Sequence, residues 1–360
     1  MKILITTNTI ENKTGTYIVL KNVIPYLMKN HQITILTNQC DVDIDYDDLV
    51  QLKTSKIFPQ YFYMSDLKKL LDDGFFNNFD VIHAFEYPLH ITDFLTMKKN
   101  QINPPLIISP HGSLHEFNSF PLNYLKKIHN SFMLRYKNNV SKFVACSFAE
   151  KNRLIEYGIN KNHVDVITLG VNSMKLDFSK RIGKNITYIG RLTKTKHVDL
   201  LIKAFAELHN DDANLIIAGA DYGTLSTLKE LVKKLKIENR ITFTGWISEE
   251  EKREILSKTS IFVHPSLEDI FSLSLAEASA AGVPIVAFDI EENSEIISDM
   301  VTGKLVKEKN YESLRETLDF ILDNPKLIEQ FSENGLKLTT KKFDWKQTAL
   351  MLEKLYADSI

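Results

Sequence analysis

Short apolar runs alternate with longer amphipathic stretches along almost the whole chain. A continuous apolar run is typical of a strand that is buried on both faces of a parallel sheet. The stretches between them, such as 16–30 and 198–210, have the spacing of helices with one apolar face. The pattern therefore predicts an α/β protein with doubly wound parallel sheets. The predicted strands lie at 2–6, 32–36, 80–85, 105–109, 142–147, 164–169, 185–190, 214–219, 240–245, 260–265 and 284–288.

The number of predicted strands is large for one doubly wound sheet and natural for two. A polar segment without a strand pattern, at 173–184, is the predicted linker. We therefore predict a first domain at 1–173 and a second at 174–343. The segment 344–360 has the pattern of a last helix, whose apolar face consists of Trp345, Ala349, Leu352, Leu355 and Tyr356.

Composition narrows the class of protein. Of 360 residues, 44% are hydrophobic and 25% are charged, which is ordinary for a globular protein. The net charge of −2 gives no basic signature of nucleic-acid binding. No apolar run approaches the roughly 20 residues that a membrane-spanning helix needs. The two cysteines, Cys40 and Cys146, favour a reducing compartment, and we expect a cytoplasmic protein.

The segment 264–284 joins a strand, an acidic loop and a helix. Ser272 and Ser274 are both good N-cap residues for a helix that begins near 271–274, and Gly282 followed by Pro284 ends the helix. A helix N-terminus at the carboxyl end of a strand favours phosphate binding. Asp269 in the loop and Glu277 in the helix are positioned to line one crevice, where carboxylates would accept hydrogen bonds from sugar hydroxyls. A solvated loop and a surface helix residue are the alternative.

A basic loop opens the second predicted domain. Arg191 and Lys196 follow the strand that ends at Gly190, so both cations can converge on one anion at the strand end. A solvated basic loop is the alternative. A later strand ends in Gly245 and Trp246, where backbone groups could meet a flat base.

In the first domain, Gly15 opens a helix after the first strand, and His111 follows the fourth strand. Backbone near Gly15 could approach a substrate, or the glycine could serve a simple turn. The segment 123–139 mixes basic and aromatic residues. It is interpreted either as a helix with a charged outer face or as a surface that rests on an anionic membrane.

The segment 40–49 contains several Asp-x-Asp pairs, a pattern that can hold a divalent metal against a diphosphate. It does not closely follow a strand and lacks apolar context. We interpret it as an acidic surface loop and predict no metal or other cofactor.

Taken together, these segments resemble the group 1 / family 4 glycosyltransferases, a retaining family with the GT-B fold. The resemblance covers essentially the whole chain and implies two Rossmann-like domains that face a central cleft. It also implies that the last helix, 344–360, packs back on the first domain. The segments that carry it are GRLxxxK at 190–196, FxGW at 243–246, HPSLEDIFSLSLAEASAAGVPIVA at 264–287, VTGKLV at 301–306, PHGSL at 110–114 and SFAEKNRLIEYGI at 147–159.

The resemblance also implies roles for residues at matching positions. Arg191 and Lys196 would neutralise the donor diphosphate, and His111 would contact the transferred sugar. Asp269 would bind sugar hydroxyls, unless Glu268 takes its place in a shifted register. The residues implied in donor binding are Gly15, Gly190, Gly245, Trp246, Ile270, Phe271, Ser272, Leu273 and Glu277, of which Glu277 would hold the nucleotide ribose and Trp246 would meet the base.

The implied reaction is the transfer of a sugar from a nucleotide diphosphate donor to an acceptor hydroxyl, with anomeric configuration retained and without a metal. A UDP-sugar is favoured over a GDP-sugar. The acceptor would be a saccharide or a lipid-linked molecule in cell-surface polysaccharide or glycolipid assembly, with the enzyme either free or at the inner face of the membrane. A sugar-nucleotide epimerase on the same fold and a non-catalytic binding subunit remain as alternatives.

Overall fold

The computed structural model of the chain divides into two compact α/β units. Unit 1 comprises residues 1–170 and 345–360, and unit 2 comprises residues 171–344. The structure describes residues 1–11, 14–41, 43–58, 61–112, 120–172, 174, 176 and 184–360. Most of the predicted linker at 173–184 lies outside the described residues.

Unit 1 is built on a seven-stranded parallel sheet in the order β9-β8-β7-β6-β1-β2-β3. A separate antiparallel pair, β4 with β5, lies beside it in the chain. The strands are β1 Lys2–Thr6, β2 Gln32–Thr37, β3 Asp48–Gln51, β4 Thr54–Phe58, β5 Tyr61–Met64, β6 Val81–Phe85, β7 Leu106–Ser109, β8 Lys142–Ala145 and β9 Val164–Val166.

Unit 2 is built on a six-stranded parallel sheet in the order β12-β11-β10-β13-β14-β15. Alternate residues enter opposite apolar layers: Ile261 and Val263 belong to one core cluster and Phe262 to the other. This two-sided burial explains the continuous apolar runs in the sequence. The strands are β10 Asn185–Ile189, β11 Asn214–Ala218, β12 Ile241–Gly245, β13 Ile261–His264, β14 Ile285–Phe288 and β15 Gly303–Val306.

Helices connect most of the successive parallel strands in both units, β2 to β3 excepted, which confirms the predicted doubly wound α/β class. Several begin at side-chain caps, including Ser147, whose hydroxyl accepts a hydrogen bond from the Glu150 amide. The helices are α1 Gly15–Leu27, α2 Leu67–Asp72, α3 His90–Met97, α4 Phe120–Met133, α5 Phe148–Glu156, α6 Val198–Ala206, α7 Leu225–Leu235, α8 Glu249–Lys258, α9 Leu273–Ala280, α10 Glu291–Ile296, α11 Tyr311–Leu322, α12 Pro325–Lys342 and α13 Trp345–Ser359.

The last helix, α13, packs against α1 and belongs to unit 1. All five residues of its predicted apolar face are buried. Its first residue, Trp345, lies so close to Gly170 that a Cβ atom on that glycine would be 2.3 Å from the Trp345 backbone nitrogen. Two distant points of the chain therefore meet with room for glycine alone.

The eleven predicted strands are all present, but the pattern missed β3, β4, β5 and β15, and also the short parallel pair Thr9–Ile10 with Gln39–Cys40. The edge strand β3 includes the end of the acidic segment 40–49, so that segment is not wholly a surface loop. Asp47 explains part of the difference, because its carboxylate accepts a hydrogen bond from the Ile33 amide at 2.6 Å and ties the segment to β2. The prediction missed this strand because the segment is rich in aspartate, which is uncommon in strands, and because an edge strand pairs on one side only.

Each sheet has one point at which the chain changes direction across it. In unit 1, β1 connects to β2 on one side, whereas β6 connects to β7 on the other. In unit 2, β10 connects to β11 on one side and β13 to β14 on the other. Ligands of doubly wound sheets bind in the crevice outside the carboxyl ends of such neighbouring strands. The two candidate crevices therefore lie after β1 and β6 and after β10 and β13.

Candidate active site

In unit 2, the loops after β10 and β13 bring Lys196 and Asp269 together. The Lys196 ammonium is 2.6 Å from Asp269 Oδ2, and both side chains are largely buried. His264, the last residue of β13, donates from Nε2 to the same oxygen at 2.9 Å. A second brace links the two loops, since the Ser266 hydroxyl contacts the Thr195 carbonyl at 3.3 Å. The predicted basic and acidic loops thus form one cluster.

Burial and neighbouring charges shift the pKa values of two side chains in this cluster, Asp269 and His264. Burial alone would raise the pKa of Asp269, but Lys196 and then His264 outweigh it and hold that pKa well below its usual range. Burial lowers the pKa of His264, although Asp269 opposes the shift. His264 Nδ1 is buried and has no hydrogen-bond partner among the described residues, which agrees with a neutral imidazole that carries its proton on Nε2. The cluster is therefore one cation, one anion and a neutral donor.

The Asp269 loop leads directly into α9. Asp269 Oδ1 accepts a hydrogen bond from the Ile270 amide at 3.0 Å. Of the two predicted N-cap residues, Ser272 is the one that caps α9, and its hydroxyl accepts from the Leu275 amide. Phe271 turns its ring against Phe343, 5.2 Å away, so its side chain packs within unit 2. The helix start at Leu273 is the end that attracts an anion.

Three glycine positions shape the strand ends. Gly219 follows β11 with a φ of +148°, and a Cβ atom there would lie 1.8 Å from the Gly190 carbonyl oxygen. A Cβ atom on Gly190 would be 2.6 Å from the Tyr188 hydroxyl. Gly245 has a φ of +74° and accepts a hydrogen bond from the Gly219 amide at 2.7 Å. The backbones after β10, β11 and β12 are therefore packed against one another at this edge.

Arg191 and Trp246 are exposed beside these glycines. The Arg191 guanidinium lies 5.7 Å from the centre of the Tyr222 ring. Trp246 follows β12 with 46% of its surface exposed. Both side chains are accessible from solvent, and the donor contacts assigned to them stay predictions.

Glu277 is buried in α9, where the sequence alone allowed a surface residue. Its carboxylate contacts the Lys252 ammonium at 2.8 Å, and Lys252 also contacts Glu249 at 2.9 Å. Burial raises the pKa of Glu277, and Lys252 opposes the shift. Burial works against the Lys252 ammonium, but Glu277 and Glu249 outweigh it and raise its pKa. Glu277 is thus a paired, buried carboxyl.

The candidate residues of unit 1 lie at the carboxyl edge of its sheet. Gly15 begins α1 after the N-cap Thr14, and no atom lies within 4 Å of a Cβ atom placed on it. His111 has a φ of +47° and stacks on Phe85 with ring centres 5.4 Å apart. Burial lowers the pKa of His111, against the pull of Glu150. The contacts assigned to these two residues stay predictions.

Sequence reasoning missed two residues that complete the unit 2 site. His264 stands at a strand end beside the motif, which is a signal that could have been used. Lys252 lies three residues after Glu249 on a helix, but nothing in the sequence shows that it reaches Glu277. Within the described part of the chain, no group of three or more histidine, cysteine, aspartate or glutamate side chains is arranged to hold a metal ion.

Comparison with known proteins gives two family matches in chain order. Residues 14–174 match the model described as Glycosyltransferase Family 4, and residues 178–338 match the one described as Glycosyl transferases group 1. An uncharacterized glycosyltransferase of Methanocaldococcus jannaschii is 25% identical over 375 residues, which cover 95% of this chain and 94% of that relative.

Solved structures agree in fold. The Anabaena protein HepE, solved with UDP and glucose, matches with a TM-score of 0.80 at 16% identity, over 99% of this chain and 100% of that one. WaaG, described as a glycosyltransferase involved in lipopolysaccharide biosynthesis, matches with a TM-score of 0.74 at 14% identity, over 98% and 99%. The expected GT-B arrangement of two Rossmann-like units is confirmed.

Proposed function

The chain belongs to the group 1 / family 4 glycosyltransferases, and we propose that it transfers a sugar from a nucleoside diphosphate sugar to an acceptor hydroxyl. The observation that carries the donor assignment is the Lys196–Asp269 pair at the direction change of the unit 2 sheet. It places a cation and a hydrogen-bond acceptor side by side, beside the N-terminus of α9. This is the combination that a phosphate next to a sugar requires.

The leaving diphosphate gains negative charge as the bond to the sugar breaks. Lys196, Arg191 and the backbone amides from Phe271 to Leu273 stabilise that charge, in the role that a metal ion plays elsewhere. The Ile270 amide, which was expected to share this task, donates to Asp269 Oδ1 instead. The leaving phosphate oxygen takes the proton of the acceptor hydroxyl, and the configuration at the sugar carbon is retained. UDP is the favoured nucleotide, ahead of GDP, and the HepE complex with UDP supports that order.

Asp269 and Glu277 bind different parts of the donor. Asp269 accepts hydrogen bonds from the sugar hydroxyls through its ionised carboxylate. Glu277 binds the ribose hydroxyls, with Lys252 as its counter-charge, and the exposed Trp246 lies where the base would pack.

The acceptor belongs to cell-surface polysaccharide or glycolipid assembly. The fold shared with WaaG supports this class, as does an amphipathic surface on α4. Four large side chains of this helix are exposed, with the basic residue Lys127 on the same helix and Arg135 just after its end. They are Tyr124, Leu125, Ile128 and Phe132, which are 61%, 49%, 52% and 43% exposed. We propose that this surface, the α4 face, rests on anionic lipid.

Thermal unfolding with a panel of nucleoside diphosphates and their sugars tests the donor assignment. A ligand at 100 times its Kd adds about 2.7 kcal/mol to the free energy of unfolding. We expect one base to stabilise the protein equally with magnesium and with a chelator. Lys196→Met should abolish the shift, whereas the exposed neighbour Lys194→Met should keep most of it. A shift that requires magnesium would overturn the metal-free site.

The reaction itself is tested by product analysis. NMR of the anomeric proton in the purified product should show the configuration of the donor. Inverted product would overturn the retaining mechanism. Conversion of the donor into another nucleotide sugar without any acceptor would favour an epimerase instead.

Sedimentation with vesicles tests the α4 face. In the described part of the chain, no helix has the length and apolar content to span a bilayer. We expect binding to vesicles rich in phosphatidylglycerol and little binding to phosphatidylcholine. Ile128→Glu should abolish it, while Leu336→Glu, on exposed α12, should not. Equal sedimentation of both variants would refute the proposal.

A further inference from the structure

Glu86 stands at the direction change of the unit 1 sheet, the counterpart of the place that Lys196 and Asp269 occupy in unit 2. It directly follows β6, which lies in the middle of the sheet between β1 and β7. Thr7 directly follows β1, the neighbouring strand. Connections leave β1 and β6 in opposite directions, so the crevice outside their carboxyl ends is the expected ligand site of this sheet.

The backbone of Glu86 is in the left-handed region, with a φ of +71°. A residue with a side chain is strained in this region. Other residues hold this conformation: the Glu86 amide donates to the Ser109 carbonyl at 2.8 Å, and the Thr92 hydroxyl donates to the Glu86 carbonyl at 3.1 Å. Backbone hydrogen bonds hold the turn, so the turn does not require the Glu86 carboxyl group.

The carboxyl group sits among hydroxyls. Thr16, in the first turn of α1, donates to Glu86 Oε1 at 2.5 Å. Thr7 interacts with the same carboxyl, but its fully buried hydroxyl is not in good hydrogen-bond geometry with any atom of the described residues. In the described part of the chain, no cation pairs with Glu86. A half-buried carboxyl approached by two threonine hydroxyls, of which Thr16 alone is in good hydrogen-bond geometry, is an incomplete hydrogen-bond network.

We infer that Glu86 is an acceptor-binding residue whose carboxylate accepts hydrogen bonds from hydroxyls of a saccharide or another polyol. The ligand's hydroxyls would fill the open positions on Glu86 and Thr7 that the fold leaves unpaired. The inference rests on the proposed function, because it assigns the acceptor half of that reaction to the unit 1 crevice. Carboxylates suit this task, since each oxygen accepts more than one O–H bond.

Ligand-detected NMR on the whole protein tests the inference without any donor. The probes are monosaccharides, methyl glycosides, myo-inositol and glycerol, each titrated separately. The variants are Glu86→Gln, which is isosteric and neutral, and Glu86→Asp, which keeps the charge but shortens the reach. Glu156→Gln, an exposed carboxylate on α5, is the matched control. Thermal unfolding of each variant reports whether it is folded.

We expect the wild type to bind at least one probe, and Glu86→Gln to bind it about ten- to a hundredfold more weakly, the usual loss for a hydrogen bond to a charged group. Glu86→Asp should also lose affinity, and Glu156→Gln should retain it. Wild-type affinity in Glu86→Gln, or no probe bound by the wild type, would overturn the inference.

The proposed donor reaction fails separately. If no nucleoside diphosphate sugar stabilises the protein, yet a saccharide binds through Glu86, the donor assignment is wrong and the Glu86 site stands. If the donor binds through Lys196 and substitution of Glu86 leaves the saccharide affinity unchanged, the donor assignment stands and the Glu86 site is wrong.

Discussion

Lys196 and Asp269 lie 73 residues apart in the chain, yet their side chains meet at 2.6 Å. Each therefore holds the other in place, and a phosphate bound as proposed would share Lys196 with Asp269. His264 donates to the same oxygen, so the carboxylate would keep one hydrogen-bond donor if Lys196 contacted that phosphate. The site is charged in advance without leaving an isolated ion buried.

Removing the cation alone should cost more stability than removing the pair. Lys196→Met leaves Asp269 buried with His264 as its remaining side-chain partner in this cluster, and the free energy of unfolding at pH 7 should fall by about 3 kcal/mol. Lys196→Met with Asp269→Asn should recover much of that loss, because no uncompensated carboxylate remains. Urea unfolding of both variants gives the comparison. A double variant no more stable than the single one would contradict the paired arrangement.

The Lys252–Glu277 pair should control recognition of the ribose. Lys252→Met removes the charge that keeps Glu277 ionised against burial, so its pKa should rise further. We expect the wild type to bind UDP about tenfold or more tightly than 2′-deoxy-UDP, and Lys252→Met to lose most of that preference. Calorimetric titration with both nucleotides measures it. Lys258→Met, on the exposed end of α8, is the control and should keep the preference.

Alanine substitutions at two glycines should distinguish the cost of a steric clash from the cost of backbone strain. Gly219→Ala would place a Cβ atom 1.8 Å from a backbone oxygen at a φ of +148°, so we expect a loss of more than about 4 kcal/mol. Gly223→Ala also has a positive φ, +96°, but nothing lies within 4 Å, and the expected loss is about 1 kcal/mol. Denaturant unfolding of each variant distinguishes them. Equal losses would show that strain alone matters at both positions.

The buried His83 should make unit 1 sensitive to acid. Burial lowers the pKa of His83 to about 3, and both ring nitrogens are satisfied by hydroxyls, from Tyr356 at 2.7 Å and Ser109 at 2.8 Å. The unfolded chain takes up this proton below about pH 6.5, whereas the folded chain does not. The stability that depends on neutral His83 is therefore complete above pH 6.5 and lost as the pH falls toward 3.

Between pH 7 and pH 5 this loss should reach about 2 kcal/mol. His83→Gln should flatten the pH dependence of the free energy of unfolding by that amount, and the exposed His163→Gln should leave it unchanged. Urea unfolding at the two pH values is the measurement. An unchanged slope in His83→Gln would mean that His83 is protonated in the folded protein.

The sequence predicted the strands well where burial is two-sided, because Ile261 to Val263 must be apolar on both faces. It predicted the N-cap at Ser272 because capping is a local property. It failed at β3, where Asp48 begins an edge strand that needs few apolar residues.

The sequence predicted which loops form the site, but it did not predict which side chains in those loops contact one another. Arg191, Lys196 and Asp269 follow strand ends, which the pattern reveals. The pairing of Glu277 with Lys252, and the position of Glu86 at a direction change, depend on strand order. A periodic pattern does not encode strand order, so these residues emerge from the tertiary structure.

The contact between Gly170 and Trp345 has a consequence for synthesis on the ribosome. Residues 171–344 form a continuous segment and can fold as soon as they emerge, whereas unit 1 must wait for α13 after its first 170 residues have been made. Until then, the surface of α1 that α13 covers is open to chaperones and to other nascent chains. The later half of the protein can thus be finished before the earlier half.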